Sequence, residues 1–180
     1  MIVNLDVAAN IILNQGIIIQ ATEGVFGFST LATSENGAKT ILKLKGRETK
    51  KGFIVLCRDI EEIASWIEPL SESQRKLITD DHARPTTFLI SKTKDCPQYL
   101  CGEHNSLAVR IPKHKQMLDL LQQCAEPLIS TSANLSGKPA STDINAINNC
   151  FPDTAILNPE IKMSGRPSRI IDLNSAVQIR

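Results

Sequence analysis

Aromatic residues are scarce in this chain: five Phe, one Tyr and one Trp among 180 positions. An interior must therefore be filled with Ile, Leu, Val and Ala, and the short runs rich in Ile and Val favour a fold built on β-sheet. An excess of one charge is missing as well. Twenty Lys and Arg against 19 Asp and Glu give a formal net charge of +1, so no global field draws the chain toward nucleic acid, although a local basic patch fits inside a balanced total. No apolar run approaches the roughly 18 residues that span a bilayer, and no basic leader precedes an apolar stretch as in a secretory signal. No membrane association is expected. The five cysteines, Cys57, Cys96, Cys101, Cys124 and Cys150, form an odd set without paired spacing, which speaks for a reducing cytoplasm. Cys96, Cys101 and His104 have the order of a zinc site but want a fourth ligand nearby. A surface loop carrying thiols is the expectation there.

Several catalytic signatures are also absent. "SENGAKT" (34–40) resembles part of a phosphate loop, yet the glycine required five residues before Gly37-Ala38-Lys39 is missing, so it reads as a helix start. No G-x-G-x-x-G follows a strand and no G-x-S-x-G marks a nucleophile elbow. His82, His104 and His114 stand apart in polar surroundings and read as surface side chains rather than as a base or ligands.

What is present is an alternation of helices and strands. Leu5, Ala8, Ala9, Ile12 and Leu13 repeat at helical spacing, and Gly16 supplies a left-handed stop. "GIIIQA" (16–21) reads as a buried strand leading into a loop, "TEGVFGFST" (22–30), and residues 36–46 read as a helix with Asn36 as cap and Gly46 at its exit. Strands are expected at 53–57, 86–90, 107–111 and 127–130, with late strands in "TAIL" and "RIIDL". Helices are expected after Asp59, from Ser71 with Gln74 completing a capping box, over 114–125, and after Ser141 or Thr142. With 42% hydrophobic residues and no linker or repeat, residues 1–180 read as one α/β domain with a mixed sheet.

Cations and small hydroxyl groups carry the chemistry. "KLKGRETKKG" (43–52) gathers Lys43, Lys45, Arg47, Lys50 and Lys51 at a helix end, where they complement the dipole and can simply face water, or can hold an anion. Arg110 lies inside the apolar strand "LAVRIP" and would be costly to bury without an anionic partner, a role that a ligand carboxylate or phosphate would serve. "LISTSANLSGKPA" (128–140) runs a strand into Ser130, Thr131, Ser132 and Asn134. It is either a polar turn before a helix or a strand end presenting hydroxyls to a ligand. "SGRPSR" (164–169) is either a mobile lid carrying Arg166 or a basic turn.

In this order and spacing, "TEGVFGFST", "LKGRETKKG", "SLAVRIP" and "STSANLSGKPAST" resemble the YrdC/TsaC family of threonylcarbamoyl-AMP synthases over nearly the whole chain. The resemblance is to the short members, without the extra C-terminal domain of longer relatives. It implies a twisted mixed-sheet α/β domain with a concave electropositive cleft. The activity it implies is ATP-dependent condensation of L-threonine with bicarbonate to threonylcarbamoyl-adenylate and pyrophosphate. The product would pass to a separate transferase complex that modifies tRNA, and weak tRNA contact by the synthase is a further expectation. By the same resemblance Lys45 and Arg47 are catalytic cations. Arg47, Lys51, Ser106, Ser132 and Asn134 would contact ATP, while Thr22, Phe26, Arg110, Ser130 and Ser168 would contact threonine. Mg2+ would be held mainly by the phosphates rather than by a protein cage. The chain departs from the family's P-T-[DE]-T-V-Y-G at Ala21, Gly24 and Phe26, and from the histidine of longer relatives at Leu56. Other readings of the same residues are a structured-RNA-binding module and a carbamoyl-transfer domain like that of hydrogenase-maturation proteins.

Overall fold

A computed structural model describes residues 1–46 and 50–180. In chain order the elements are β1 (Ile2–Val3), α1 (Leu5–Leu13), β2 (Ile18–Ala21), β3 (Phe26–Leu31), α2 (Glu35–Lys45) and β4 (Ile54–Leu56). A 3-10 segment (Ile60–Trp66), α3 (Glu72–Thr79), β5 (Thr86–Ser91), α4 (Gln98–Cys101) and β6 (Ser106–Arg110) follow. The chain continues through α5 (Lys115–Cys124), β7 (Leu128–Ser132), α6 (Ile144–Cys150), β8 (Ala155–Leu157) and β9 (Arg169–Asp172). The strands form one sheet in the order β1-β8-β2-β3-β7-β4-β6-β5-β9. Pairings β1/β8, β2/β8, β4/β6 and β5/β9 are parallel and β2/β3, β3/β7, β4/β7 and β5/β6 antiparallel, so the sheet is mixed as expected.

Register divides the sheet into two faces, because side chains alternate along a strand. One face carries Ile19, Phe28, Val55, Val109 and Ile129, covered by Ala38 and Ile41 of α2, Ile63 of the 3-10 segment, Ile78 of α3, Leu100 of α4 and Ile147 of α6. The other face carries Ile18, Leu31, Leu56 and Leu128, covered by Ala8, Ala9 and Ile12 of α1 and by Met117, Leu120 and Leu121 of α5. Helices α1 and α5 cover only part of this second face. The same register places Gly27, Ser130, Ser132, Ala108 and Arg110 on it as well.

Local chemistry explains most of the ends. The Asn4 side chain accepts from Val7 N at the start of α1, and Ser71 with Gln74 forms the expected capping box of α3. Gly46 takes φ +57° at the exit of α2. Four expectations shift. The cap of α2 is Ser34, whose Oγ accepts from Gly37 N, not Asn36, and the cap of α6 is Asp143 rather than Ser141 or Thr142. The left-handed residue after α1 is Gln15 (φ +61°), while Gly16 is needed for space, since a Cβ there would lie 2.6 Å from Ile11 Cγ2. Half of the loop "TEGVFGFST" is strand β3, forming a hairpin with β2. Strand β1 and helix α4 had no prior signal in the sequence, being only two and four residues long. No helix among the described residues is long and apolar enough to cross a membrane.

Candidate functional site

Where α1 and α5 stop, the second face of the sheet opens into a cavity of about 570 Å³. Its wall is assembled from segments far apart in sequence: Thr22, Phe26 and Gly27 of the first hairpin, Lys51 and Phe53 before β4, Ser106 and Arg110 of β6, Ser130 and Ser132 of β7, and Ser168 before β9. Thr22, Phe26, Lys51, Ser106, Arg110, Ser130, Ser132 and Ser168 were all singled out by the sequence, and the fold brings them to one hollow. Arg47 lies outside the described residues.

Lys45 and Asn134, also singled out by the sequence, do not line the cavity; they are bonded behind Ser132. Lys45, at the last turn of α2, is only 3% exposed. Its Nζ donates to the Ser132 carbonyl, to the Asn134 carbonyl at 2.9 Å and to Asn134 Oδ1 at 3.1 Å. Ser132 Oγ donates to the same Oδ1 at 2.6 Å, and Ser136 N donates to the Lys45 carbonyl at 2.8 Å. The cationic helix end and the hydroxyl-rich turn are therefore bonded to each other directly. A buried ammonium satisfied by three oxygens fixes a turn far more rigidly than a solvated lysine would. Of the basic run, Lys43, Lys50 and Lys51 are exposed, as an ordinary charged helix end would be.

Arg110 is 5% exposed, and its Nη2 donates to Glu23 Oε2, a partner invisible in sequence because 87 residues separate the two. The anion that burial of this arginine demands is thus supplied within the chain. Burial lowers the guanidinium pKa to about 10, which leaves it protonated at neutral pH. Glu23 Oε1 also accepts from Lys113 N at 3.2 Å. A guanidinium has five N–H groups, so Arg110 keeps donors for the cavity it lines. On the other side of this pair lies a smaller pocket of about 170 Å³ lined by Glu23, His82, Arg84, Thr86, Arg110 and Lys113.

The turn that carries Thr22 is tied down on both sides. Thr22 Oγ1 donates to the Val25 carbonyl at 3.1 Å, Ser164 N donates to the Glu23 carbonyl and Gly165 N to the Gly24 carbonyl, each at 2.9 Å. A Cβ on Gly24 would lie 2.4 Å from the Arg166 carbonyl oxygen, so the close approach of segment 164–168 is what excludes a threonine there. Ser168 Oγ shares a 2.8 Å hydrogen bond with Thr87 Oγ1.

Two expectations need correction. Cys96 and Cys101 are not in a surface loop: both are buried in the core, with sulfurs 3.4 Å apart. Neither His82 nor His114 is a solvated surface side chain: Arg169 Nη2 donates to His82 Nδ1 at 2.9 Å and His82 Nε2 donates to the Leu77 carbonyl at 2.8 Å, while His114 is half-buried with its Nδ1 shielded from solvent. His104 is exposed at the cavity mouth. Among the described residues no three His, Cys, Asp or Glu come together as a metal site. The sequence reading missed Glu23 and Arg180, and weighed Cys101 only as a zinc ligand, not as a lining residue. Arg180 lines the cavity and donates from Nε and Nη2 to the Ser168 carbonyl at 3.2 and 3.1 Å. Only the register of β9 and its return segment reveals it.

A mixed α/β sheet with a hollow walled by hydroxyls and arginines has the donor set that a small anionic ligand requires. A family profile described as Telomere recombination matches residues 10–180. The chain belongs to this Sua5/YciO/YrdC family. Similar proteins named threonylcarbamoyl-AMP synthase include one from Klebsiella pneumoniae, 34% identical over 82% of this chain and 78% of its own. Another, from Chromobacterium violaceum, is 32% identical over 92% of this chain and 86% of its own. Among solved structures, P. abyssi Sua5 complexed with L-threonine superposes with a TM-score of 0.88 at 26% identity, covering 97% of this chain and 54% of that one. This chain thus spans little more than half the length of the archaeal protein. E. coli YciO, at 22% identity and a TM-score of 0.84, shares the fold.

Proposed function

We propose that this chain is a threonylcarbamoyl-AMP synthase, joining L-threonine, bicarbonate and ATP into threonylcarbamoyl-adenylate with release of pyrophosphate. The observation that carries this reading is the single cavity lined by Lys51, Arg110 and five predicted hydroxyl residues, in a chain whose relatives bear that name. Threonine and bicarbonate condense to a carbamate with loss of water. A carbamate oxygen then attacks the α-phosphorus, and the bond to the bridging oxygen of pyrophosphate breaks. No side-chain nucleophile is required, because the attacking group is part of the substrate. The protein's task is to hold three small reactants together and to offset their negative charge.

In this reading Arg110 presents its remaining N–H groups to the threonine carboxylate, with Thr22, Phe26, Ser130 and Ser168 shaping that end of the cavity. Ser106, Ser132 and Lys51 face the nucleotide. Asn134, assigned to the nucleotide as well, is held behind Ser132 by Lys45. Arg47 remains the cation assigned to the developing phosphate charge, while Lys45, whose ammonium is bonded to three protein oxygens, adds positive potential from behind the wall and fixes the turn that carries Ser132. Lys51, Arg110 and Arg180 support an electropositive cleft. No Asp or Glu is among the described lining residues. With that donor set an Mg2+ would be held mainly by the nucleotide's phosphates rather than by protein carboxylates, and would supply neutralisation of phosphate charge. We read residues 1–180 as one domain, located in the cytoplasm. Its product would pass to a tRNA threonylcarbamoyl transferase complex, with weak tRNA contact at most.

Exchange of labelled pyrophosphate into ATP tests the proposal. Exchange is expected only when threonine and bicarbonate are both supplied. Exchange that ignores threonine, or none at all from a protein that binds ATP, would overturn it.

A further inference from the structure

Helix α4 is short, and its last residue, Cys101, faces two ways. The residue lines the cavity, and its sulfur lies 3.4 Å from that of Cys96, just before the helix. The following backbone is bonded tightly to the segment that carries Lys51. Phe53 N donates to the Leu100 carbonyl at 2.8 Å, Glu103 N to the Lys50 carbonyl at 3.0 Å, and Lys51 bridges Gly102. The contact has no slack: a Cβ on Gly52 would lie 2.5 Å from the Leu100 carbonyl oxygen, and one on Gly102 would lie 2.2 Å from that of Lys50.

We propose that Cys96 and Cys101 are a modification site, forming a reversible intramolecular disulfide with small two-electron oxidants of the peroxide class, and that this bond weakens nucleotide binding in the adjoining cavity. The second half of the proposal rests on the reading of that cavity as the nucleotide site. Two sulfurs already in contact need close by only ~1.4 Å to reach the bond length of about 2.0 Å. The chemistry is divided between them. The two sulfurs share one hydrogen bond, and that bond lowers the Cys101 pKa against the opposing effect of burial, with the charge of Lys92 helping to lower it. The same hydrogen bond, followed by burial, raises that of Cys96. Cys101 lines the cavity through which a small oxidant arrives and Cys96 does not, so Cys101 is the attacking thiolate and Cys96 the resolving thiol. The Cys101 thiolate attacks one peroxide oxygen, the O–O bond breaks, and the departing hydroxide takes up a proton to leave as water. The Cys101 sulfenic acid then loses its oxygen as a second water when the Cys96 sulfur displaces it. Two thiols are oxidised and one peroxide is reduced to two waters.

The other cysteines lack this arrangement. Burial pushes the Cys57 thiol to about 12 and the Cys124 thiol to about 11, and Cys150 is exposed without a thiol neighbour of this kind. Because the Leu100–Glu103 backbone is clamped to Lys50–Phe53, drawing Cys101 toward Cys96 also draws on the wall that presents Lys51.

The test uses the full chain with Cys150→Ser, treated with hydrogen peroxide and then alkylated. Mass spectrometry of the tryptic peptide 95–110 is expected to show both cysteines unalkylated and the peptide two hydrogens lighter, reversibly with dithiothreitol. Nucleotide affinity measured by calorimetry should fall on the order of tenfold on oxidation and recover on reduction. It should be indifferent to peroxide in Cys96→Ser and Cys101→Ser variants. Both thiols remaining alkylatable after treatment that fully oxidises Cys150 in the parent chain would overturn the site. A disulfide that forms without changing affinity would overturn the coupling. Should the reduced protein fail to bind nucleotide, the functional reading fails while the peptide mass still decides the disulfide. The mapping needs neither serine variant to fold.

Discussion

Two halves of one sheet face meet along strand β7 and differ in kind. At Leu128 the strand lies under α1 and α5, in a dry cluster with Ile18, Leu31, Leu56 and Leu120. Two and four residues further along, on the same side of the strand, Ser130 and Ser132 face the cavity. A single strand thus carries the residues that hold the sheet together and those that meet the ligand. What separates them is only where the helices end. The apolar half should respond to substitution in stability, and the polar half in activity.

Lys45 is where the division should break, and it carries the largest expected effect. Removing its ammonium in Lys45→Ala leaves the Ser132 and Asn134 carbonyls without this donor, so the variant should lose about 2–3 kcal/mol in denaturant unfolding. Pyrophosphate exchange should fall on the order of 100-fold in the same protein. A variant that lost only one of the two would assign the residue to one half. Leu128→Ala and Ser130→Ala sharpen the contrast. Leu128→Ala should cost about 3 kcal/mol of stability with unchanged exchange per folded molecule. Ser130→Ala should cost less than about 1 kcal/mol while raising the KM for threonine several-fold.

The smallest effect concerns His114, at the start of α5. Burial lowers its pKa below the ordinary 6.5, and its Nδ1 is buried without a hydrogen-bond partner. The unfolded chain therefore takes up the proton more readily than the folded one, so stability falls as pH drops through 6.5 toward the folded-state value. In His114→Gln the thermal midpoint should decline less between pH 7 and pH 5 than in the parent chain.

The parts of this molecule that could be read from sequence are those whose cause is local. The Ser71–Gln74 box, the Gly46 exit and the strand runs each depend on a few neighbouring residues. Where two polar residues compete for a cap, as Ser34 and Asn36 do, the sequence offers no way to choose, and packing decides. The candidate site was legible as a set of residue types, since strings such as "STSANLSG" keep their order. Its geometry was not. Glu23 opposite Arg110 and Cys96 beside Cys101 depend on how distant segments or short turns pack. Gly24 departs from the family pattern for a reason only the packing shows, the carbonyl of Arg166 pressed against it.

The Glu23–Arg110 pair borders both the main cavity, through Arg110, and the smaller pocket beside it. For anyone reshaping this protein, that pair of opposite charges is a handle on the boundary between the two, since Arg110 belongs to both linings. Shortening its acidic member would free Arg110 from its carboxylate partner and add room on the side of the smaller pocket, a starting point for admitting amino acids bulkier than threonine.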